Sequence, residues 1–362
     1  MSTSIAITIG RRIRQAREML GLSLRALAEK LDGSLSHTAL GKYESGSMVP
    51  GSAVLIQLSR AMGQPVDYFF REFQSAWTSP PHFRRRVSKL SQREKNSLLE
   101  RSLDFFERYQ KIEEIMGEKR PLENPLPKTP AKTEEEVSRR AQLLRKEWNL
   151  GSDPLPNIHE LMEIKGIKVH EIDTDNRAFD GFHSHVNGEP VVVVASWLNR
   201  VVPRKRMTEA HELAHVMLHL EDGLEEKQEE NLVNRFAGEL VLPEDPFRQI
   251  WGSRRKAISL GELLQIKAFF GASMMAIVYR ASQLGLMAKP ATDKFWKYAS
   301  IQRWRTDGEP GDDLFKDGEA NNRFRQLVLR AVMEEKISES RAAALLKTDV
   351  ESLRAEFQEI FA

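Results

Sequence analysis

Two histidines and a glutamate with the spacing H-E-x-x-H lie in the stretch EAHELAHVMLHLE, residues 209–221. They are His211, Glu212 and His215. In a helix, residues four apart lie on the same face, so the two imidazoles can bind one tetrahedral ion. Glu212 would lie beside that ion without ligating it, where a carboxylate acts as a general base for attack on a polarised carbonyl. The alternative is an amphipathic helix whose histidines are solvated or hydrogen-bonded.

The third ligand of such a site has to come from elsewhere, because a catalytic zinc takes three protein ligands and keeps one position open. The chain has no cysteine, so this ligand must be a histidine or a carboxylate. His219 lies one turn beyond His215, but three consecutive histidines at this spacing spread too widely for one ion. A carboxylate of the next predicted helix fits better: the preferred residue is Glu230, and the alternatives are Glu229 and Glu226.

The elements that must position these side chains follow an α+β pattern from residue 131 onward. Apolar periodicity predicts helices over 133–148, 158–166, 209–221, 225–242, 259–285 and 322–361. Stretches rich in β-branched and aromatic residues predict strands over 166–173, 179–186 and 190–196. The expected fold class is mostly α with an α+β part around a small sheet.

The strand PVVVVAS, residues 190–196, has two interpretations. An edge strand here would hold an extended substrate through main-chain hydrogen bonds. A continuous apolar run is also typical of a core strand buried on both faces. The group that stabilises the oxyanion is open as well. The candidates for transition-state or substrate contacts, each favoured as structural, are His183, His185, Arg206 and Tyr279.

The motifs on the two central helices carry a family resemblance. With T-x-A-H-E-L-A-H-V-M-L-H followed by E-x-x-V-N-R-F-A-G-E-L-V-L-P, the sequence over about 131–285 resembles the ImmA/IrrE metallopeptidases. The resemblance implies a zincin-like fold and one Zn²⁺ per chain, with His211, His215 and Glu230 as ligands and Glu212 as the base. It also implies a protein substrate, a repressor of the helix-turn-helix kind.

The N-terminal residues form a second pattern, a string of short helices. Helices are predicted near 9–22, 23–31, 36–44 and 51–62. Over about 60 residues this part resembles the XRE/Cro-type helix-turn-helix regulators. The matching positions are Ile13, Arg17, Gly21, Leu22, Ser23, Leu27, Ala28, Leu31, Ser36, Leu40, Glu44, Gly46 and Pro50.

This second resemblance implies that the helix starting at Ser36 enters the major groove of a double-stranded DNA operator. The residues expected at base edges or nearby phosphates are Ser36, His37, Thr38, Lys42 and Ser45. Backbone contacts, which set register but not sequence, are expected from Arg11, Arg12, Arg14 and Arg25. Leu24 and Gly41 depart from the family pattern, which favours weak binding per subunit and a homodimer. The alternative is a relic of the fold that serves protein contacts.

The residues between the two patterns, 73–130, differ in composition. FRRRVSKLSQREK is strongly basic and is interpreted as a solvated face, although it could follow phosphates. An apolar stripe predicts a long helix from Ser91 to Met116 that forms a dimer or interdomain seam. Four prolines over 121–130 predict a hinge. The predicted domains are 1–72, 73–130, 131–290 and 291–362.

The length, composition and net charge of the chain limit the class of protein. A chain of 362 residues is expected to form two or three domains. Because there is no cysteine, a disulfide framework is excluded. No apolar leader or run of roughly 18 apolar residues indicates a membrane segment, so a cytoplasmic location is expected. The net charge of +2 is nearly neutral, so DNA binding must depend on a local patch.

Together these features indicate a transcriptional regulator with a zinc endopeptidase site. By the resemblance, the site would cleave a helix-turn-helix repressor in a stress, phage-defence or mobile-element response. The chain's own N-terminal module is one candidate substrate, with the proline-rich segment as an exposed cleavage site. The first alternative is a DNA-binding repressor whose zinc fold is a non-catalytic sensor or partner-binding domain. A further alternative is one half of a toxin–antitoxin pair.

Overall fold

The computed structural model describes residues 2–83, 90–315 and 322–361. These residues fall into two compact units. The N-terminal unit holds 2–78 and 90–111, and the second unit holds 79–83, 112–315 and 322–361. Residues 84–89 of the predicted basic run lie outside the described part of the chain.

The N-terminal unit is built from helices α1 Ser2–Met19, α2 Leu24–Lys30, α3 His37–Glu44, α4 Ser52–Met62 and the greater part of α5 Gln92–Met116. Serines begin two of them: the Ser23 hydroxyl accepts the Ala26 N–H and the Ser36 hydroxyl accepts the Ala39 N–H. Such caps satisfy backbone donors that the first helical turn leaves without partners. The helices enclose a core whose fully buried members include Ile13, Leu27, Leu40, Leu58 and Phe69.

The apolar stripe of α5 is packed inside this unit. Leu103, Phe106 and Tyr109 are buried, and the Phe106 ring lies edge-on to Trp77 with centroids 6.4 Å apart. Ser97 donates its hydroxyl to the Met19 carbonyl at 2.7 Å. The sequence assigned this stripe to a dimer or interdomain seam. Residues 92–111 of the stripe belong to the same compact unit as α1–α4, and its role in a dimer stays a prediction.

The second unit contains a mixed sheet, in which we describe β1 His82–Phe83, β2 Lys168–Ile172, β3 Gly181–Val186 and β4 Glu189–Ala195. Its order is β1-β3-β4-β2; β2 runs parallel to β4, and the other pairs are antiparallel. A tight turn joins β3 to β4 through Asn187 and Gly188, both at positive φ, which suits the twist of a hairpin.

Strand β4 lies inside the sheet, between β3 and β2. Its valines at 191–194 are fully buried. The interpretation of PVVVVAS as a core strand is therefore the right one, and the edge-strand interpretation is wrong, because hydrogen-bonded neighbours occupy both of its sides. On that side of the sheet β3 is the outer long strand, and it carries the short strand β1, which the sequence did not predict.

Helices cover this sheet and continue to the C-terminus. They are α6 Glu134–Glu147, α7 Ile158–Ile164, α8 Val202–Met217, α9 Glu226–Val241, α10 Glu244–Trp251, α11 Leu260–Phe270, α12 Met274–Gln283, α13 Lys289–Ile301, α14 Trp304–Asp307, α15 Arg323–Met333, α16 Glu339–Leu346 and α17 Val350–Phe361. Helix α8 packs against α9, β3 and β4, and α6 packs against α9. The predicted fold class, mostly α with an α+β part, is confirmed.

The proline-rich segment does not form the expected hinge. Leu126 and Ala131 are buried in the core of the second unit. The Asn124 side chain donates to the Met217 carbonyl at 2.8 Å, and the Ala131 N–H donates to the His219 carbonyl at 2.8 Å. Proline removes backbone donors but does not prevent the residues between the prolines from packing on the core, so the composition did not reveal that this segment is docked.

Helix α13 also belongs to the core of the second unit. The sequence had placed most of it in a separate region beyond residue 290. Phe295 and Ala299 are buried in this core, as is Trp304 of α14. Within the described residues, no single helix has the length and hydropathy of a membrane span; α11 and α12, bent by 94°, pass that test only as a pair and only by length and composition.

Candidate functional site

Helices α8 and α9 bring three side chains together. His211 and His215 lie on consecutive turns of α8, and Glu230 lies in the second turn of α9. One nitrogen of each imidazole and one carboxylate oxygen all lie within 4.8 Å of one another. The third position, which the sequence left open among three glutamates, is Glu230 in this cluster.

The spacing of these atoms fits one tetrahedral ion. The Nε2 atoms of His211 and His215 are 3.2 Å apart, and the Glu230 oxygens lie 3.7 Å and 3.6 Å from them. Ligand atoms about 2.0–2.1 Å from a tetrahedral Zn²⁺ lie about 3.3 Å apart. Two imidazoles and one carboxylate are a donor set that zinc accepts in hydrolytic sites, so the residues present fit the metal that the sequence implied.

The orientation of His211 is fixed from outside the cluster. Its Nδ1 lies 3.0 Å from the Oδ1 of Asn234, one turn along α9 from Glu230. An amide oxygen only accepts, so Nδ1 carries the proton and Nε2 presents its lone pair toward the cluster. The sequence placed Asn234 in the family motif without giving it a role. Its four-residue spacing from Glu230 was the signal that could have found it.

Glu212 is almost fully buried beside the cluster. Its Oε2 lies 3.0 Å from the Nδ1 of His183 on β3. His183 in turn stacks on His215, with ring centroids 4.5 Å apart and planes 15° from parallel. Of the four candidate transition-state contacts, His183 is thus the one that touches both Glu212 and a member of the cluster.

The stack continues to His82 on β1, whose ring lies 5.2 Å from that of His183 at 3° from parallel. Burial lowers the pKa of His82, and the neighbouring imidazoles of His183 and His215 lower it further. His185 points to the same segment, with its Nδ1 3.2 Å from the Ser79 hydroxyl. Burial lowers the pKa of His185 too, with smaller contributions from His183 and His82.

The alternative ligands lie around the cluster without completing it. Glu229 Oε1 is 3.8 Å from the Nδ1 of His215, on the side of the ring away from Nε2. The side chains of His219 and Glu226 are exposed. A cavity of about 290 Å³ opens next to His215, bounded by residues 218–224 and Glu229, which leaves space for a bound molecule on this side.

The two remaining candidates have other surroundings. Arg206, on α8, is buried and donates to the Leu155 carbonyl at 2.7 Å. Tyr279 is partly exposed on α12, and its pKa is raised by partial burial, with Gln283 as its hydrogen-bond partner. Both contacts favour the structural interpretation that the sequence had preferred for them.

The candidate DNA-contacting residues lie on the surface of the N-terminal unit. Ser36 and the first-turn residues His37 and Thr38 of α3 are exposed, as is Lys42 one turn later. Arg25 is exposed on α2. Because the Ser36 hydroxyl caps α3, the exposed first turn of that helix has a defined orientation.

Two arginines of this unit turn out to be structural. Arg12, expected at the DNA backbone, is 1% exposed and forms a two-bond ion pair with Glu107, so it cannot reach a phosphate. Arg17 and Glu44, both motif positions, pair with each other at 2.6 and 2.8 Å. The presence of these two residues in the motif is therefore explained by an ion pair that joins α1 to α3. Arg11 and Arg14 remain exposed.

Comparison with known proteins identifies the two domains. Residues 162–282 match the family described as IrrE N-terminal-like domain, Peptidase_M78, and residues 13–69 match the family described as Helix-turn-helix. Two curated relatives, both described as uncharacterized HTH-type transcriptional regulators, come from Sinorhizobium medicae (strain WSM419) and Rhizobium meliloti (strain 1021). Each is 37% identical over 68 residues, which is 19% of this chain and 48% of the relative.

The chain thus spans about half the length of the curated relatives it matches. Among solved structures, the apo form of ComR from S. thermophilus aligns over 94% of this chain and 99% of its own at 14% identity. Its TM-score of 0.17 is too low to support an argument. The family matches agree with both sequence resemblances: the chain carries an XRE-type helix-turn-helix domain followed by an IrrE-like Peptidase_M78 domain.

Proposed function

We propose that this chain is a DNA-binding transcriptional regulator whose second domain is a zinc-dependent endopeptidase. The observation that carries the proposal is the cluster of His211, His215 and Glu230, with the buried Glu212 next to it. The donor set suits one Zn²⁺ per chain, and a carboxylate directly beside the ligands is what peptide hydrolysis requires. A purely structural zinc site does not require a buried acid beside its ligands.

The chemistry divides between the metal and the chain. A Zn²⁺ held by His211, His215 and Glu230 would supply Lewis-acid chemistry at the scissile carbonyl. Glu212 accepts the proton of the attacking water and passes it to the leaving amine. His183 is the positioning residue: its Nδ1, 3.0 Å from Glu212 Oε2, fixes the rotamer of that carboxylate. Burial of Glu212 strengthens these interactions by excluding bulk water.

The DNA-binding part of the proposal rests on the exposed first turn of α3. We assign base contacts to His37, Thr38 and Lys42, and phosphate contacts to Ser36 and Arg25. Major-groove readers of this kind bind two half-sites through a two-fold dimer, so the proposal includes a homodimer on a palindromic operator. Since a DNA-binding regulator has to reach the chromosome, the proposal includes a cytoplasmic location.

The proposed substrate is a repressor of the helix-turn-helix kind, cleaved in a stress or phage-defence response. The support for this step is the resemblance of the second domain to the ImmA/IrrE peptidases. The proline-rich segment is not proposed as a self-cleavage site, because Leu126 and Ala131 at its end are buried in the core. A protease cuts chain that it can bind in extended form, and this segment is already docked.

The test compares wild type with Glu212→Gln in cells. Both proteins should hold about one zinc per chain, and protein N-termini should be mapped across the proteome after each is produced. We expect one or a few new termini with wild type and none with Glu212→Gln. If the variant regulates a reporter as wild type does and no terminus depends on Glu212, the second domain is a non-catalytic sensor or partner-binding domain, which is the alternative function.

A further inference from the structure

The segment Ser79–Phe83 of the second unit lies along the open side of β3. Its last two residues form β1, antiparallel to β3, with His82 opposite His183 and Phe83 opposite Phe182. An extended peptide that adds a strand to a sheet edge binds in this way, through main-chain hydrogen bonds and pockets for alternate side chains. The segment therefore occupies a place in the sheet that another peptide strand could take.

Side chains hold the segment at both ends. At one end, the Ser184 hydroxyl donates to the Ser79 carbonyl at 2.9 Å and the His185 N–H donates to the Ser79 hydroxyl at 3.0 Å. At the other end, the Phe83 ring lies 4.9 Å from Phe182, which is fully buried. A ladder of two residues is shorter than ordinary strands, so these anchors supply the attachment.

The segment also lies directly over the candidate catalytic residues. The His82 ring stacks on His183, which contacts Glu212 and stacks on His215. A substrate held against β3 would pass over the same imidazole, since β3 is the outer long strand next to α8. The segment and a substrate strand would thus compete for one edge.

We propose that Ser79–Phe83 is an internal occupant of the substrate-binding edge of β3, which a substrate has to displace. The inference rests on the proposed function and names a substrate class. The substrate is an extended segment that pairs antiparallel with β3 and places a large aromatic or aliphatic side chain where Phe83 lies, against Phe179 and Phe182.

The course of the chain links this edge to the DNA-binding unit. Residues 79–83 belong to the second unit, while the described residues before them, up to 78, and those from 90 to 111 belong to the N-terminal unit.

The experiment measures binding of a labelled peptide with the sequence of residues 76–83, AWTSPPHF. The full-length, zinc-loaded protein carries Glu212→Gln, so that the peptide stays intact, and fluorescence anisotropy reports the affinity. In this background Phe83→Ala weakens the internal occupant. Because an occupied edge reduces apparent affinity by the fraction of time it is open, we expect the variant to bind about tenfold more tightly.

The controls distinguish binding at this edge from nonspecific binding of the peptide. Phe70→Ala, at a phenylalanine that is 52% exposed in the N-terminal unit, should leave the affinity unchanged. A peptide with alanine at the position of Phe83 should bind neither protein. Ser79→Ala, which removes the hydroxyl that accepts the His185 N–H, provides a second and milder release of the segment if Phe83→Ala fails to fold.

Equal affinity of the peptide for the parent and for the folded release variants would overturn the inference, as would no binding to any of them. Since the readout is binding in a Glu212→Gln background, it is independent of turnover. Tighter binding to the release variants without any wild-type cleavage would keep the inference and reject the peptidase. Cleavage by wild type, with no effect of the release variants on peptide affinity, would support the peptidase and reject the inference.

Discussion

The two units hold polar clusters that are built on opposite principles. In the N-terminal unit, the guanidinium of Arg12 donates to both carboxylate oxygens of Glu107, at 2.6 and 2.9 Å, to the backbone carbonyls of Arg71 and Glu72, and to the side-chain oxygen of Gln15. Donor and acceptor match at each contact. A cluster of this kind contains its own cation and stabilises the fold.

In the second unit, lone-pair-bearing atoms face one another. The Nε2 atoms of His211 and His215 and the carboxylate oxygens of Glu230 converge within 4.8 Å, an arrangement that a cation completes. Burial alone does not separate function from structure, since Arg12 and His211 are both buried and each contacts residues that are distant in the sequence. What separates them is that the first cluster pairs a cation of its own with acceptors, whereas the second gathers ligand atoms of the kind that hold a metal ion, and this difference makes different predictions for substitution.

The largest expected effect is the loss of metal from His215→Ala. Wild type should hold about one zinc per chain, and the variant should hold none, because two ligands do not retain zinc against buffer. Elemental analysis of the purified proteins measures this. The matched control is His219→Ala, one turn further along and exposed, which should keep its zinc. Zinc retained by His215→Ala would mean that the cluster is not the metal site.

Next in size is the destabilisation of the N-terminal unit by Arg12→Ala. Removing one partner of a buried ion pair leaves Glu107 without its counter-charge, which costs about 3 kcal/mol or more of unfolding free energy. Urea denaturation with a probe in this unit measures the loss. Arg14→Ala, whose side chain is 63% exposed in its pair with Glu18, should cost less than about 1 kcal/mol. Equal losses for both variants would contradict the distinction.

A smaller effect is expected at Asn234, which orients one ligand without binding metal. Asn234→Leu removes the oxygen that accepts from His211 Nδ1 and should weaken zinc binding by about 10–100-fold. Asn234→Asp keeps an acceptor at that place and should restore most of the affinity. Competition with a chromogenic chelator measures both. If the Asn234→Leu and Asn234→Asp variants bind zinc with the same affinity, the contact of 3.0 Å between Asn234 and His211 has no orienting role.

The smallest effect concerns a third cluster, where two acids share one cation. Lys267 Nζ lies 2.5 Å from Asp312 and 3.8 Å from Glu309, which also accepts the Met274 N–H. Burial raises the pKa of Glu309 to about 7, against the opposing effect of Lys267. A raised carboxyl pKa means that this group's stabilising contribution is complete below its ordinary pKa of 4.5 and is lost as the pH rises through 7.

Glu309→Gln should remove this pH dependence. The unfolding free energy of wild type relative to the variant should fall by on the order of 1–3 kcal/mol between pH 4.5 and 8. Denaturant titrations at a series of pH values measure the difference. Parallel curves for the two proteins across this range would show that Glu309 ionises as an exposed carboxyl does.

Local spacing explains what could be predicted. A helix places residues three and four apart on one face whatever surrounds it, so the positions of His211 relative to His215, and of the helix that starts at Ser36, followed from the sequence. The structure brings Glu230 to the same place, and the roles of these residues as ligands and DNA contacts stay predictions. The fold class and the two domain families were predicted and are confirmed.

Only the tertiary structure decided which distant groups meet. His183 reaches Glu212 because β3 packs on α8, and Arg12 is withdrawn from solvent because Glu107, far along the chain, lies against it. Strand β1 has two residues, too few for any periodic pattern. Its place depends on the anchors that β3 offers. Local sequence determined the chemistry available on each helix, and long-range packing determined which of those groups are joined in a site and which serve the core.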